Sequence, residues 1–194
     1  MESGKTSDAV VATVTRGGGN EEGMHIAGIY EVDCLGPDGE LKWRDRIVNL
    51  VTTVGKNLTL DTLLAGSAYT VTGPFMGLIS SVSYTAIAAA DTMASHGGWT
   101  EAGSTNAPTY TAPRKTVAFD AASAGSKAAT AAQSFAITGA GTVKGCFIAL
   151  GTGATSTILN TGGTLYSAGL FSGGDKVVDN GDTLNVTYST NLNA

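Results

Sequence analysis

The stretch Gly28-Ile29-Tyr30-Glu31-Val32-Asp33-Cys34-Leu35-Gly36-Pro37-Asp38-Gly39-Glu40-Leu41-Lys42-Trp43 decides the fold class. From Gly28 onward the apolar residues recur at every second position. Tyr30, Val32 and Cys34 therefore share one face while Glu31 and Asp33 share the other, which is the period of a half-buried strand. Gly36-Pro37-Asp38-Gly39 follows as a turn, with φ set by Pro37 and left-handed freedom supplied by glycine. The run Leu41 to Leu50 places Leu41 and Trp43 on one face and Lys42, Arg44 and Arg46 on the other. The two segments predict a β-hairpin whose basic side chains face Glu31 and Asp33 across the strands.

Outward from this hairpin, apolar runs alternate with Gly, Ser, Thr and Pro clusters. Strands are expected at Phe75 to Ile79, Lys115 to Asp120, Gln133 to Thr138, Thr142 to Leu150, Thr164 to Phe171 and Thr183 to Tyr188. Leu184, Val186 and Tyr188 alternate with Thr183, Asn185 and Thr187, so the last strand has one wet face. Cys146 to Leu150 is continuously apolar and reads as a central strand covered on both faces. One helix is expected from about Thr53 to Ala65, with Leu58, Leu60, Leu63 and Leu64 in amphipathic spacing and Gly66 as its stop. A second helical turn is expected to start at Asp91 as N-cap. About eight strands and one short helix make a mainly β protein, a two-sheet sandwich or jelly roll. Residues 1–25 are polar, carry Gly17-Gly18-Gly19 and read as an extended N-terminal arm. Residues 26–194 read as the domain.

Composition narrows function. The chain has 194 residues with 42% hydrophobic and only 14% charged side chains, 27 glycines and a net charge of -5. An average soluble protein has roughly 25% charged residues, so this is a shell or fibre composition more than that of an enzyme. The acidic balance argues against nucleic acid as a partner, because neutralising phosphates takes clustered Lys and Arg. From Ala121 to Gly174 the Lys, Arg, Asp and Glu positions are Lys127 and Lys144 alone, a neutrality that covering by neighbouring subunits would explain. No apolar run approaches the roughly 18 residues of a membrane helix, and the N-terminus lacks a secretory pattern; a soluble protein made in a cytoplasm, without membrane contact, is expected.

Motifs that could carry chemistry have blander readings. Glu2-Ser3-Gly4-Lys5-Thr6 ends like a phosphate-binding loop but lacks the preceding strand and upstream glycine. Asp179-Asn180-Gly181-Asp182 reads as a hairpin turn before it reads as a calcium loop. His25 and His96 have no ligand-spaced partners for zinc, and no nucleophile signature frames His96 with Ser95, Asp91 and Glu101. Cys34 and Cys146 read as buried thiols, with a disulfide or reactive site as the alternative. No catalytic residue, cofactor or metal is expected. Trp43, Trp99, Tyr110 and Phe119 are candidate anchors, in the core first and at an oligomer interface second.

Ala90 to Glu101, Tyr110 to Lys115, Gly145 to Ala149 and Gly181 to Tyr188, with the helix Asn49 to Leu64 and the Gly77-Leu78-Ile79 strand between the opening hairpin and the closing strand, resemble small virion proteins of tailed bacteriophages over about Ile29 to Tyr188. The resemblance implies a non-enzymatic structural protein of the particle, most like a capsid decoration (cement) protein. Its partners would be the phage major capsid protein and itself, as a homotrimer at lattice three-folds, and its place the capsid surface of the virion, after synthesis in the host bacterial cytoplasm. Arg16 of the arm, with Trp43, Trp99 and Tyr110, are the candidate subunit or capsid contacts. The alternative is a tail or fibre-head component binding a host surface glycan through exposed aromatic rings such as Trp99 or Tyr110.

Overall fold

The computed structural model describes residues 25–64 and 72–193; the arm with Arg16, and the helix stop at Gly66, lie outside the described residues. The opening hairpin is β1 (His25–Leu35) and β2 (Leu41–Val48), followed by β3 (Leu50–Val51), α1 (Thr53–Leu64) and β4 (Phe75–Ser80). Short strands β5 (Thr100–Glu101), β6 (Thr109–Tyr110), β7 (Lys115–Thr116) and β8 (Ser126–Ala128) precede the long β9 (Gln133–Gly139), β10 (Gly141–Leu150) and β11 (Thr164–Leu170). The chain ends with β12 (Lys176–Val178) and β13 (Thr183–Asn193).

Two antiparallel sheets pack face to face as a β-sandwich. The first runs β2-β1-β13-β9-β6, with β8 also on β13; the second runs β3-β11-β10-β4-β5, with β12 on β10 and β7 on β4. β1 and β13 pair along their whole length, from His25 opposite Asn193 to Leu35 opposite Thr183. The alternation expected of both strands holds: Tyr30, Val32, Cys34, Leu184, Val186 and Tyr188 are buried and meet Met76, Leu78, Cys146 and Ile148 of the second sheet. Gly39 at φ 82° closes the first hairpin as expected, whereas Asp179–Asp182, with Gly181 at φ 92°, is a turn but not a hairpin: β12 before it lies in the second sheet and β13 after it in the first, so the turn carries the chain between the sheets. Both cysteines are free and buried.

β10 is central, as its apolar run predicts, because the second sheet is covered on its outer face as well. There Phe147, Ala149, Ile79, Leu165 and Ala168 form a second core with Met93 and Trp99, which arrive on the connection between β4 and β5. Phe147 stands opposite Gly77 of β4, and its ring lies where a Cβ on Gly77 would be. The glycine is what lets a central aromatic lie across its neighbour strand.

Four further expectations need correction. The expected strand from Lys115 to Asp120 is paired only at Lys115–Thr116, with one bridge from Phe119 to Ala129. Leu41 is 51% exposed, because the hairpin register shifts after Cys34 and turns it outward. Asp91 caps no helix: its carboxylate accepts the Trp99 indole N–H at 3.0 Å and the Ala88 N–H at 2.9 Å. Finally α1 forms where expected, N-capped by the Thr52 hydroxyl on the Gly55 N–H, yet its leucines do not face the core. Gly55 is its buried position, set against the Tyr166 backbone of β11. Close approach through a glycine docks the helix by its first turns, so Leu60, Leu63 and Leu64 project outward at 40, 62 and 80% exposure.

Replacing Gly77 by Val must displace the Phe147 ring and should cost about 2–3 kcal/mol, lowering the melting temperature by roughly 5–10 °C. Gly174→Ala, at φ 81° with open space around it, should cost only about 1 kcal/mol. Thermal melts of the two variants check the order.

Candidate functional site

Three places concentrate chemistry or unsatisfied surface. The first lies on the outer face of the second sheet, where Glu101 of β5 meets Arg114 just before β7. Arg114 Nε and Nη2 donate to the two Glu101 carboxylate oxygens at 2.7 Å each. Arg114 also donates to the Asn160 carbonyl at 2.8 Å and the Thr155 carbonyl at 3.2 Å, and its guanidinium lies 5.3 Å from the Phe147 ring centroid. Glu101 in turn accepts the Leu159 N–H at 2.6 Å. Both side chains are almost fully buried. A bidentate pair with its remaining donors and acceptors engaged is the arrangement a buried ion pair needs. It fastens the β10–β11 connection to β5 and β7.

Above this pair opens a groove of about 490 Å³ bordered by Ser95, His96, Asn106 and Thr161. His96 stacks on Trp99, ring centroids 4.0 Å apart, and its Nδ1 is 3.1 Å from the Trp99 carbonyl oxygen. Of the residues that a catalytic set at His96 would use, Asp91 is engaged on Trp99, Glu101 on Arg114 and His96 on Trp99, while Ser95 is exposed. Among the described residues no three or more His, Cys, Asp and Glu side chains group as a metal site.

The second place is the end of the ladder at Leu35 and Thr183. The Lys42 ammonium sits between Asp182 at 2.7 Å and Asp179 at 2.9 Å, where a cation would sit in a calcium loop. Of the cross-hairpin pairings expected of the basic face, Arg44 makes one, bidentate on Asp33 at 2.5 and 2.7 Å. Burial pushes the Asp182 carboxyl up, but the Asp179 N–H and the Lys42 ammonium outweigh it and hold its pKa below the usual range. Burial, with Asp182 beside it, pushes the Cys34 thiol up to about 12, which leaves it protonated and inert. Nearby, Asp45 accepts from the Ser172 hydroxyl, the Arg46 and Gly173 N–H groups and the Lys176 ammonium. Burial alone would raise its pKa; these donors win and bring it to about 2.

The third place is apolar. A cleft opens between the sheets, with Phe119, Ile148, Leu150, Tyr166 and Tyr188 on its walls and about 240 Å³ of space. A second lobe of about 200 Å³ continues it past Ile26, Thr59 and Leu192.

Of the sequence candidates, Trp99 and Tyr110 are 2 and 3% exposed, so they serve the core and offer the chain's surface nothing; their size and ring contacts with Phe147 and Phe135 account for it. Trp43 is partly buried, edge-on to Phe171, with its indole N–H on the Val177 carbonyl. The structure does not bring Trp43, Trp99 and Tyr110 together. Arg114 escapes a reading of the sequence; its one signal is that it shares with Lys115 alone the charge between Glu101 and Asp120.

Glu101→Gln or Arg114→Met alone should destabilise by about 3–5 kcal/mol, since each leaves a buried charge unpaired, while the double change Glu101→Leu with Arg114→Met should recover most of it. Denaturant melts of the three variants check this. A carboxyl depressed in the folded state stabilises above its unfolded pKa, roughly 3.9, and that contribution is lost as pH falls through the folded value. For Asp45 the window therefore runs from pH near 4 down to about 2, and Asp45→Asn should flatten the acid-induced loss of stability there in a pH series of urea melts. Comparison with protein-family models, with curated proteins and with solved structures found no match to this chain.

Proposed function

We propose that this chain is a non-enzymatic structural protein of a tailed-phage particle, a decoration protein that binds the outside of the assembled head and stabilises it. Its partners in this reading are the major capsid protein and its own copies, as a homotrimer. The observation that carries the reading is the outward row Leu60, Leu63 and Leu64 on α1. A helix in a sandwich protein normally turns its leucines to the core; this one presents them to solvent, and an uncovered apolar face of this kind marks a protein contact. Burying a leucine contributes about 1.5–3 kcal/mol, and weak contacts repeated over a lattice add up to firm attachment. A ligand that binds the assembled shell and not its separated subunits stabilises the shell by mass action. The low charge and the engagement of Glu101, Arg114, Asp91 and His96 inside the chain also favour a structural role. The glycan-binding alternative calls for exposed rings at Trp99 or Tyr110, and both are buried.

Expanded heads lacking this protein, mixed with the purified chain, should bind it saturably in multiples of three copies and gain heat resistance. The double change Leu63→Asp and Leu64→Asp should lower the bound copies at least roughly tenfold while leaving the melting temperature of the free protein within about 1–2 °C, since exposed positions move stability by at most about 0.5 kcal/mol. Absence of binding to the shell by the unaltered protein overturns the reading.

A further inference from the structure

We propose that the cleft between the two sheets beside α1 is a binding site for an aliphatic carboxylate, with the tail between the sheets and the carboxylate on Lys127. This goes beyond the structural role above and does not rest on it. The walls come from both sheets: Tyr188 from β13, Ile148 and Leu150 from β10, Tyr166 from β11, with Phe119 across the opening. An apolar, open cleft with few convergent polar groups is the form small-molecule sites take. Two hydroxyls on its walls are already occupied within the protein. The Tyr188 hydroxyl accepts from Asn49 at 3.2 Å, and the Thr190 hydroxyl donates to the Ala27 carbonyl at 2.9 Å. Water entering the cleft therefore finds little to bind, and an apolar occupant gains.

Lys127 breaks this neutrality. It borders both lobes. Its ammonium donates to the Asp120 carbonyl at 2.7 Å and lies 5.9 Å from the Phe119 ring centroid, but among the described residues no carboxylate is within ion-pair distance of it. The other cation of the neutral half, Lys144, is matched by Asp175 at 2.9 Å. An ammonium has three donors, so Lys127 keeps two for a ligand. One negative charge at the end of an apolar body complements the site. The 240 Å³ of the main lobe holds roughly eight groups of water size at about 30 Å³ each, which suits a chain of about eight carbons.

Octanoate, titrated into the full-length protein below its micelle concentration, should bind saturably at one site per chain and shift the methyl NMR signals of Ile148 and Leu150. Neutral octanol should bind roughly fivefold more weakly, the share an exposed charge-assisted contact supplies. Lys127→Met should reduce octanoate to the octanol level and leave octanol unchanged, and Leu150→Trp should abolish both. The methyl shifts of the unaltered protein keep the test decisive if Leu150→Trp does not fold. Absence of saturable octanoate binding, shifts that spare Ile148 and Leu150, or indifference to Lys127→Met overturns the proposal.

Discussion

The ladder between β1 and β13 joins the first described strand to the last, over eleven residue pairs from His25–Asn193 to Leu35–Thr183. Every other element of the described residues lies in the chain between these two strands, so their pairing closes a loop of about 150 residues whose entropy must be offset by what the ladder buries. Its inward residues supply that offset. Tyr30 meets Tyr188, with ring centroids 4.6 Å apart, and Val32 meets Val186. The Tyr30 hydroxyl then reaches across to Ser167 of β11 at 2.6 Å, and Ile47 bridges to Phe171 at the sandwich's corner. The second sheet is thereby positioned against a surface that only exists once β1 and β13 have paired. Such a topology, dominated by distant pairings, predicts slow folding relative to helical proteins of this size.

Polar interactions act at a different level, on loops. The Glu101–Arg114 pair joins β5, which is held to β4 by only two residue pairs, to the approach to β7 and to the β10–β11 connection at Thr155, Leu159 and Asn160. A well-packed apolar pair could give as much stability. What the ion pair adds is geometry, because a planar guanidinium accepts its partners in few orientations. Glu101 follows Trp99 by two residues, so the pair also anchors the end of the connection that carries Met93 and Trp99 onto the outer face of β10.

These two levels explain what could be read in advance. Strands with alternating or continuous apolar residues announce themselves, since burial on one or two faces leaves a local pattern: Tyr30, Val32 and Cys34, then Leu184, Val186 and Tyr188, then Cys146 to Leu150. The turns at Gly36–Gly39 and Asp179–Asp182 are equally local. Asp91 misleads because a carboxylate before Thr92 looks like a cap, whereas its partner, the Trp99 indole, is chosen by the folded loop. Glu101 could be noticed beside His96, but its pairing with Arg114 could not be read, because partners on separate elements share no period. The leucines of α1 mislead for a related reason: spacing tells which residues share a helix face but not which face docks, and here Gly55 decides by permitting the closest approach to Tyr166.

The two ends of the long ladder differ in kind. Where Leu35 faces Thr183, Lys42 lies between Asp179 and Asp182, Cys34 is sealed behind them, and Asp45 gathers donors from Ser172, Gly173 and Lys176. Charge is neutralised locally, and the apolar side chains left open there, Leu41 and Val177, stand singly on strands. Where His25 faces Asn193, the neighbours are Ile26, Leu192 at 43% exposure and the cleft lobe bordered by Thr59 of α1, the helix that carries the outward leucines. Core packing does not require those leucines, since the helix docks through Gly55, and exposed apolar side chains favour aggregation unless something covers them. A contact surface placed at this end can be remodelled without disturbing the sandwich, because Leu63 and Leu64 share no packing with Tyr30, Val32 or Phe147. The division leaves stability in the ladder and the two cores, and leaves the α1 end available for recognition.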